Sequence, residues 1–450
     1  MLIANRGEIA CRIVRSCRAL GLRTVAVYSE PDAAALHVEL ADERVALGGS
    51  SALESYLRVE RLLEAAAQTG ADAIHPGYGF LAENAAFARA VAAAGLAWVG
   101  PTPDSIDDMG DKERARLLAR AAGLPVLPGS ARFGPGDLAG LEAAAAEVGF
   151  PMLVKASAGG GGIGMRRVDR VEDLVAAVEA TQGMAQRAFG DGTVYLERFV
   201  ANARHVEVQV FGFGDGEAIH VHERDCSLQR RFQKIVEESP APGLPAEVRE
   251  AMCAAAVALC RQERYRGAGT VEFVVDADRF EFYFLEMNTR IQVEHPVSEM
   301  NTGLDLVGMQ LQLAAGQAPQ ARAQSQVVAR GHAIECRLYA ERPAKGFLPS
   351  TGTLQTLRLP EPDATLRVDS GVREGDKVTH FYDPMIAKLI AHGDDRDGAI
   401  DRMLRALRAI EVAGVETNRD FLVRAIDHPA FRRGEVSTRF VDVHKASLLG

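Results

Sequence analysis

The sequence predicts a mixed α/β and α+β protein of two or three domains. Three observations carry this. Strand, helix and glycine punctuation alternate from Leu2 to Pro101, a βαβ rhythm that implies a mostly parallel sheet. From Gly331 onward strands dominate, and a helix from Arg396 to Ile410 follows them, an α+β pattern. At 450 residues the chain exceeds what one compact core holds. The bulk numbers exclude several classes. A composition 47% hydrophobic and 25% charged is globular rather than disordered. A net charge of −10 and a pI near 5.7 leave no basic footprint for nucleic acid. No signal peptide and no apolar run of membrane-spanning length occur. The six cysteines (11, 17, 226, 253, 260, 336) form neither a Cys-x-x-Cys pair nor a zinc spacing, so reduced thiols in the cytoplasm are expected.

Taken in order, Leu2 to Ala4 is a short strand in which the chain begins, so a few upstream residues are expected to be missing. A helix runs from Glu8 to about Leu20, Gly21 ends it, and Thr24 to Tyr28 is a second buried strand. Ala73 to Leu81 is a strand end feeding a Gly-rich loop (His75-Pro76-Gly77-Tyr78-Gly79), the place where parallel sheets bind ligands. No Gly-x-Gly-x-x-Gly follows a strand, which argues against a dinucleotide domain. Asp104 to Ala122 reads as one helix containing Gly110-Asp111-Lys112, ended by Leu124-Pro125. Phe150 to Lys155 is a buried strand ending on lysine. Ala158-Gly159-Gly160-Gly161-Gly162-Ile163-Gly164-Met165 follows it, and such a run lets backbone N–H groups approach phosphate oxygens. It is neither a P-loop nor a kinase loop. Seven of the 51 basic residues are lysine, and Lys112, Lys155 and Lys234 each stand in such a context.

Val194 to Val200 and Arg204 to Val210 are strands, the second holding His205. Arg224, Arg230, Arg231 and Lys234 crowd eleven residues of an acidic chain, which predicts a local anion funnel. Thr270 to Val275 and Phe280 to Leu285 form a hairpin turned by Asp276-Ala277-Asp278-Arg279. With Val275 opposite Glu281, Glu272 is opposite Phe284 and diagonal to Glu286, about 7–8 Å away and able to share a divalent cation. Written as an extended chain, Glu286 to Pro296 puts Glu286, Asn288, Arg290, Gln292 and Glu294 on one face over roughly 26 Å. Alternating anion- and cation-binding groups fit a metal-bound phosphate at one end and a small oxyanion at the other. Ala315 to Val328 reads as a linker. Arg337 shares a strand face with Glu335 and Tyr339.

Together, Ala4 to Ala10, His75 to Leu81, Gly110 to Lys112, Lys155 to Met165, Arg224 to Lys234 and Glu286 to Pro296 make the chain resemble biotin carboxylase, an ATP-grasp family, from Ala4 to about residue 440. The resemblance implies an N-terminal parallel-sheet domain (1–110), an ATP-grasp domain (111–315) with a mobile lid at about 130–200, and a C-terminal α+β domain (328–440). It implies a ligase that uses ATP, Mg2+ (or Mn2+) and bicarbonate to carboxylate biotin through carboxyphosphate. The ATP set it implies is Lys112, Lys155, Gly160, Gly161, Gly162, Gly164, Met165, Glu197, Arg198, Val200, His205 and Gln229. The metal set is Glu272, Glu286 and Asn288. Bicarbonate falls to Lys234, Arg290, Gln292, Val293 and Glu294, with Glu294 as the base. Biotin falls to Tyr78, Gly79 and Arg337, bordered by Gln229. Lys234, Arg290, Glu294 and Arg337 are the catalytic four.

Three departures stand out: Ile163 where the family has a basic residue, Phe232 where many members have His, and Ala158 for the first glycine of the run. No Met-Lys-Met biotinylation motif occurs, so biotin is expected on another chain or on another part of a longer polypeptide. A carrier protein, a carboxyltransferase subunit and a homodimer are the implied partners. The acyl acceptor is not legible. The competing readings are another ATP-grasp ligase, such as a carbamoyl-phosphate or purine-pathway enzyme, and a non-catalytic nucleotide-binding regulator.

Overall fold

Leu2–Ile3 (β1), Val25–Tyr28 (β2), Glu43–Ala46 (β3), Ala73–His75 (β4) and Ala97–Trp98 (β5) form a parallel sheet of order β3-β2-β1-β4-β5. The strand order reverses at β1, and a crevice forms where neighbouring crossovers diverge. Ala4 to Arg6 and Pro76 to Gly79 are the loops at that point. The structure, a computed structural model, describes residues 1–157 and 164–449.

Next in sequence comes a small unit. Met152–Ala156 (β6), Met165–Val168 (β7) and Val194–Arg198 (β8) form an antiparallel sheet of order β7-β6-β8. Helices Leu141–Val148 and Leu174–Phe189 pack on it. The unit has its own core, including Phe133, Leu141, Val154, Leu174 and Leu196.

The largest sheet has eight strands: Ala203–Phe213 (β9), Ala218–Arg230 (β10), Gln233–Ser239 (β11), Arg266–Asp276 (β12), Phe282–Asn288 (β13), His332–Tyr339 (β14), and the strands Leu366–Ser370 and Met385–Gly393. Its order is β13-β12-β9-β10-β11-β14, then Met385–Gly393, then Leu366–Ser370, antiparallel throughout. The central and C-terminal regions, which the sequence presents as separate, are therefore joined by the β11–β14 ladder. Ile334, Cys336 and Leu338 point into the C-terminal core with Ile400 and Met403. The alternation of the strand sends Glu335 and Arg337 to the other face.

Several local expectations change. The 104–122 helix is two helices, Pro103–Gly110 and Lys112–Ala121, because the Asp111 carboxylate accepts the Glu113 and Arg114 N–H groups, both at 2.9 Å, and caps the second. The β12–β13 register is one residue from that expected: Val275 pairs with Phe282. A bulge between Phe284 and Glu286 then restores the shared face and sets Glu272 directly opposite Glu286. The extended 286–296 run ends as strand at Asn288, and helix His295–Thr302 follows the loop. The anion funnel is dispersed: Arg224 is fully buried, Arg230 pairs with Glu341 in the interior, and Arg231 is exposed at the β10–β11 turn. Arg231 and Phe232 both take positive φ there (50° and 63°), the two-residue hairpin geometry usually given to Asn-Gly. Among the described residues no helix is long and apolar enough to cross a membrane.

Candidate active site

A cavity of about 1140 Å3 opens between the N-terminal sheet, the small unit and the eight-stranded sheet. Its wall is a row of ionic residues on consecutive strands. Glu286 (β13) is opposite Glu272 (β12), Glu272 is opposite Glu207 (β9), and Glu207 is opposite Arg224 (β10). Cross-strand partners stand close enough to touch, so the register builds the network. Glu207 accepts from Arg224 Nε at 2.5 Å and from Lys234 Nζ at 2.6 Å. Lys234 Nζ also donates to Glu272 at 2.9 Å and to Glu294 at 2.7 Å. Three carboxylates thus converge on one ammonium, which hold it charged against the pull of burial. Burial pushes the Glu294 carboxyl up, but Lys234, with Arg337 and Arg224 behind it, brings it down to about 2. Glu294 is therefore ionised, and its other oxygen accepts from Arg337 Nη2 at 3.1 Å.

Glu272 is the hub of the predicted metal set. Its Oε1 also accepts from Asn288 Nδ2 and Gln292 Nε2, both at 2.9 Å, and its Oε2 is ion-paired with His205 Nε2 at 2.9 Å. Glu286 differs. It makes no hydrogen bond or ion pair among the described residues, and burial and Glu272 push its carboxyl up. Two facing carboxylates, one of them unpaired, fit a hard divalent cation such as Mg2+. Asn288 fits less well, since its Oδ1 already accepts from Arg290 Nη2 at 3.0 Å.

The predicted oxyanion group comes together although it is not a strand. Arg290, Gln292, Val293 and Glu294 all line the cavity. Gln292 Oε1 accepts from Arg224 Nη2 at 2.7 Å, so the buried arginine orients it. Tyr78 and Gly79 line the same cavity from the switch-point loop, with Gln229 and Arg337 across from them. That loop is pinned by Asn5 Nδ2, which donates to the Pro76 and Tyr78 carbonyls at 2.7 Å each. Gly77 is required there: its φ is +65° and a Cβ would lie 2.9 Å from Asn5 Nδ2.

The predicted nucleotide residues are placed unevenly. Lys112, Lys155, Met165, His205 and Gln229 line the cavity. Glu197, Arg198 and Val200 do not, although Glu197 reaches it by accepting from Lys155 Nζ at 2.6 Å. Gly164 is described and buried, whereas Ala158, Gly160, Gly161, Gly162 and Ile163 lie outside the described residues. Phe232 stands 75% exposed at the cavity rim.

Sequence reasoning missed four residues that organise the site. Glu207 is the buried counter-ion of Lys234 and Arg224. Glu83 accepts from Arg290 Nε at 2.8 Å. Lys388, fully buried, donates to the Val293 carbonyl at 2.8 Å. Glu8 accepts from the Tyr78 hydroxyl at 2.7 Å. Lys388 had a signal, being one of seven lysines and lying in the apolar run Met385 to Ile390. The loop Lys377 to Met385 also lines the cavity, with Phe381, Tyr382 and Asp383.

A parallel sheet, a small sheet carrying a lysine, and a carboxylate-rich antiparallel wall around one cavity define the ATP-grasp class. Residues 1–106 match the family described as biotin carboxylase, N-terminal domain; 111–321 match carbamoyl-phosphate synthase L chain, ATP binding domain; and 335–443 match biotin carboxylase C-terminal domain. The chain is 50% identical to the biotin carboxylase of Halalkalibacterium halodurans over 99% of its own length and 97% of that protein. It is 49% identical to the mitochondrial methylcrotonoyl-CoA carboxylase subunit alpha of Oryza sativa, covering 100% of this chain and 61% of that one, so it spans about three fifths of such subunits. The biotin carboxylase domain of Hydrogenobacter thermophilus 2-oxoglutarate carboxylase, a dimer in complex with MgADP, ADP and bicarbonate, superimposes with a TM-score of 0.91. That pair is 43% identical, covering 99% of this chain and 98% of that one. The chain belongs to the biotin carboxylase family.

Proposed function

We propose that the chain catalyses ATP- and bicarbonate-dependent carboxylation of biotin, the first half-reaction of a biotin-dependent carboxylase. The observation that carries this is the Lys234–Glu294–Arg337 chain of contacts beside the facing pair Glu272 and Glu286. Glu294 takes the proton of the bicarbonate hydroxyl. Lys234, Arg290 and Gln292 hold the oxyanion, whose oxygen attacks the γ-phosphorus of ATP in line with departing ADP. Glu272 and Glu286 would hold Mg2+, which supplies charge neutralisation on the phosphoryl oxygens. Carboxyphosphate breaks its C–O bond to give CO2 and phosphate beside biotin. The phosphate takes the proton of the ureido nitrogen, the Arg337 guanidinium stabilises the negative charge at the ureido oxygen, and the nitrogen then forms the N–C bond to CO2.

In this reading Lys112, Lys155, His205 and the run 159–164 serve the nucleotide, and residues of about 130–200 are the lid. The lid reading is supported by the separate core of that unit. Tyr78, Gly79 and Gln229 border biotin. The biotin is borne by a carrier protein or domain, and a carboxyltransferase completes the enzyme. The methylcrotonoyl-CoA carboxylase relatives support an acyl-CoA acceptor. A homodimer is supported by the dimeric 2-oxoglutarate carboxylase domain. Six free, buried cysteines support a reducing, cytoplasmic location.

The test is phosphate release from MgATP and bicarbonate, with and without free biotin, for the native chain and Glu294→Gln. Biotin-stimulated release, abolished by the substitution, supports the reading. Release indifferent to biotin points to another ATP-grasp ligase, and ATP binding without release points to a regulator.

A further inference from the structure

Behind Arg337, away from the cavity, are two carboxyl groups that the reaction above does not use. Glu237 on β11 and Glu335 on β14 are direct cross-strand partners, and both are fully buried. Glu237 Oε1 accepts from Arg337 Nη2. Glu237 Oε2 and both oxygens of Glu335 have no donor among the described residues. Two ionised carboxylates at adjacent buried positions, with three oxygens lacking a donor, would pay both desolvation and mutual repulsion. A single proton placed between them removes the mutual repulsion and gives one of those oxygens a donor, since the protonated partner becomes a donor to the other.

We propose that Glu237 and Glu335 share one proton and act as a positioning pair for Arg337, holding its guanidinium against Glu294 while leaving its charge only partly neutralised. The surroundings support this. Burial drives the Glu335 carboxyl far up. Lys388 on the next strand and Arg337 pull it down, while Glu237 and Glu294 push it further up. Glu237 rises to about 7, again through burial and then Glu294, against Arg337 and Lys234. Cys226 on β10 faces Glu237 as a neutral thiol. His295, at the start of the helix packed on β14, is kept uncharged by burial and nearby cations. Lys388 is itself engaged by the Val293 carbonyl and by Glu8 at 3.2 Å, so it is not a full counter-ion for Glu335.

The consequence concerns Arg337. Flanked by two full carboxylates, the guanidinium would have little charge left for a substrate oxygen. With Glu237 carrying a fraction of one, orientation is kept and charge remains available. This rests on the reading of Arg337 as the biotin-side cation. The protonation itself does not, and the two are tested apart.

The experiment has two arms, on the full chain. Infrared difference spectra at neutral pH should show a protonated carboxyl C=O band in the native protein that is lost in Glu335→Gln. No such band, or one unchanged in the variant, overturns the shared proton whatever the enzyme does. In the second arm, biotin-dependent phosphate release is followed against pH. Glu335→Gln, which keeps a neutral donor beside Glu237, should hold the rate within about twofold with a pH profile close to the native one. Glu237→Gln should cut the biotin-dependent rate about tenfold or more and spare biotin-independent ATP hydrolysis. Glu335→Leu, lacking the donor, should fall between them. If Glu335→Gln falls as far as Glu335→Leu, or all profiles coincide with the native one, the positioning role is wrong. If native release ignores biotin, the functional reading fails and the infrared arm still decides the pair.

Discussion

The lysines of two walls of the cavity are held in opposite ways. On the eight-stranded sheet, Lys234 is gripped by Glu207, Glu272 and Glu294 within 3 Å, and each of those carboxylates has a further cationic partner. On the small sheet, Lys155 has one carboxylate, Glu197, which it shares with Arg116 at 3.3 Å. The first wall is a cross-braced lattice whose members cannot move singly without stranding a buried charge. The second is a single tie at the edge of a unit with its own core. In the proposed reaction the first wall binds and deprotonates a small oxyanion, and such groups gain from rigidity. If Lys155 serves the nucleotide as proposed, it gains from a tie that is easily exchanged.

The largest expected effect breaks the lattice. Arg224→Ala leaves buried Glu207 with Lys234, an ammonium already shared among three carboxylates, and denaturant unfolding should show a loss of about 3–5 kcal/mol. A loss below about 1 kcal/mol would mean that the wall is not cross-braced. Glu294→Gln should lower biotin-dependent turnover about 10²- to 10⁴-fold with circular dichroism unchanged. Acid sharpens the same contrast. Glu207 and Glu294 are held below their ordinary 4.5, so their contribution is fully present above that pH and is lost as pH falls toward 2. Thermal melts from pH 6 to 3 should therefore show a steep loss, shallower in Glu294→Gln. On the other wall, Lys155→Met should leave stability within about 1 kcal/mol and raise KM for ATP about tenfold, roughly 1.4 kcal/mol. An equal loss of stability at Lys155 and Arg224 would erase the distinction. The smallest effect is at the cap: Asp111→Ala should cost about 1 kcal/mol and fray the helix that begins at Lys112, which urea titration would read.

Much of this was legible in the residues. The βαβ rhythm gave the parallel sheet, and the alternation of Glu286 to Glu294 assembled the polar set that meets in the cavity. That alternation was right about which residues meet and wrong about how. The strand stops at Asn288, and Arg290 to Glu294 reach the site from a loop anchored by Lys388 and Arg224. Glu272 and Glu286 do share a face, through a bulge that no pattern in the hairpin announces. The crowded cations from Arg224 to Lys234 read as one patch because proximity in sequence says nothing of sidedness. Strand alternation and burial sent them to separate environments.

The sequence by itself determined the fold class, the family and the chemical types gathered at the site, because these follow from local periodicity and from long motifs. Only the tertiary structure decided which charges neutralise which. Glu207, Glu83, Glu8 and Lys388 are ordinary residues until register and packing bring them within hydrogen-bond reach of Lys234, Arg290, Tyr78 and Val293. Electrostatic function depends on distances of a few ångström between elements far apart in the chain, and such distances exist only once the sheets have closed around the cavity.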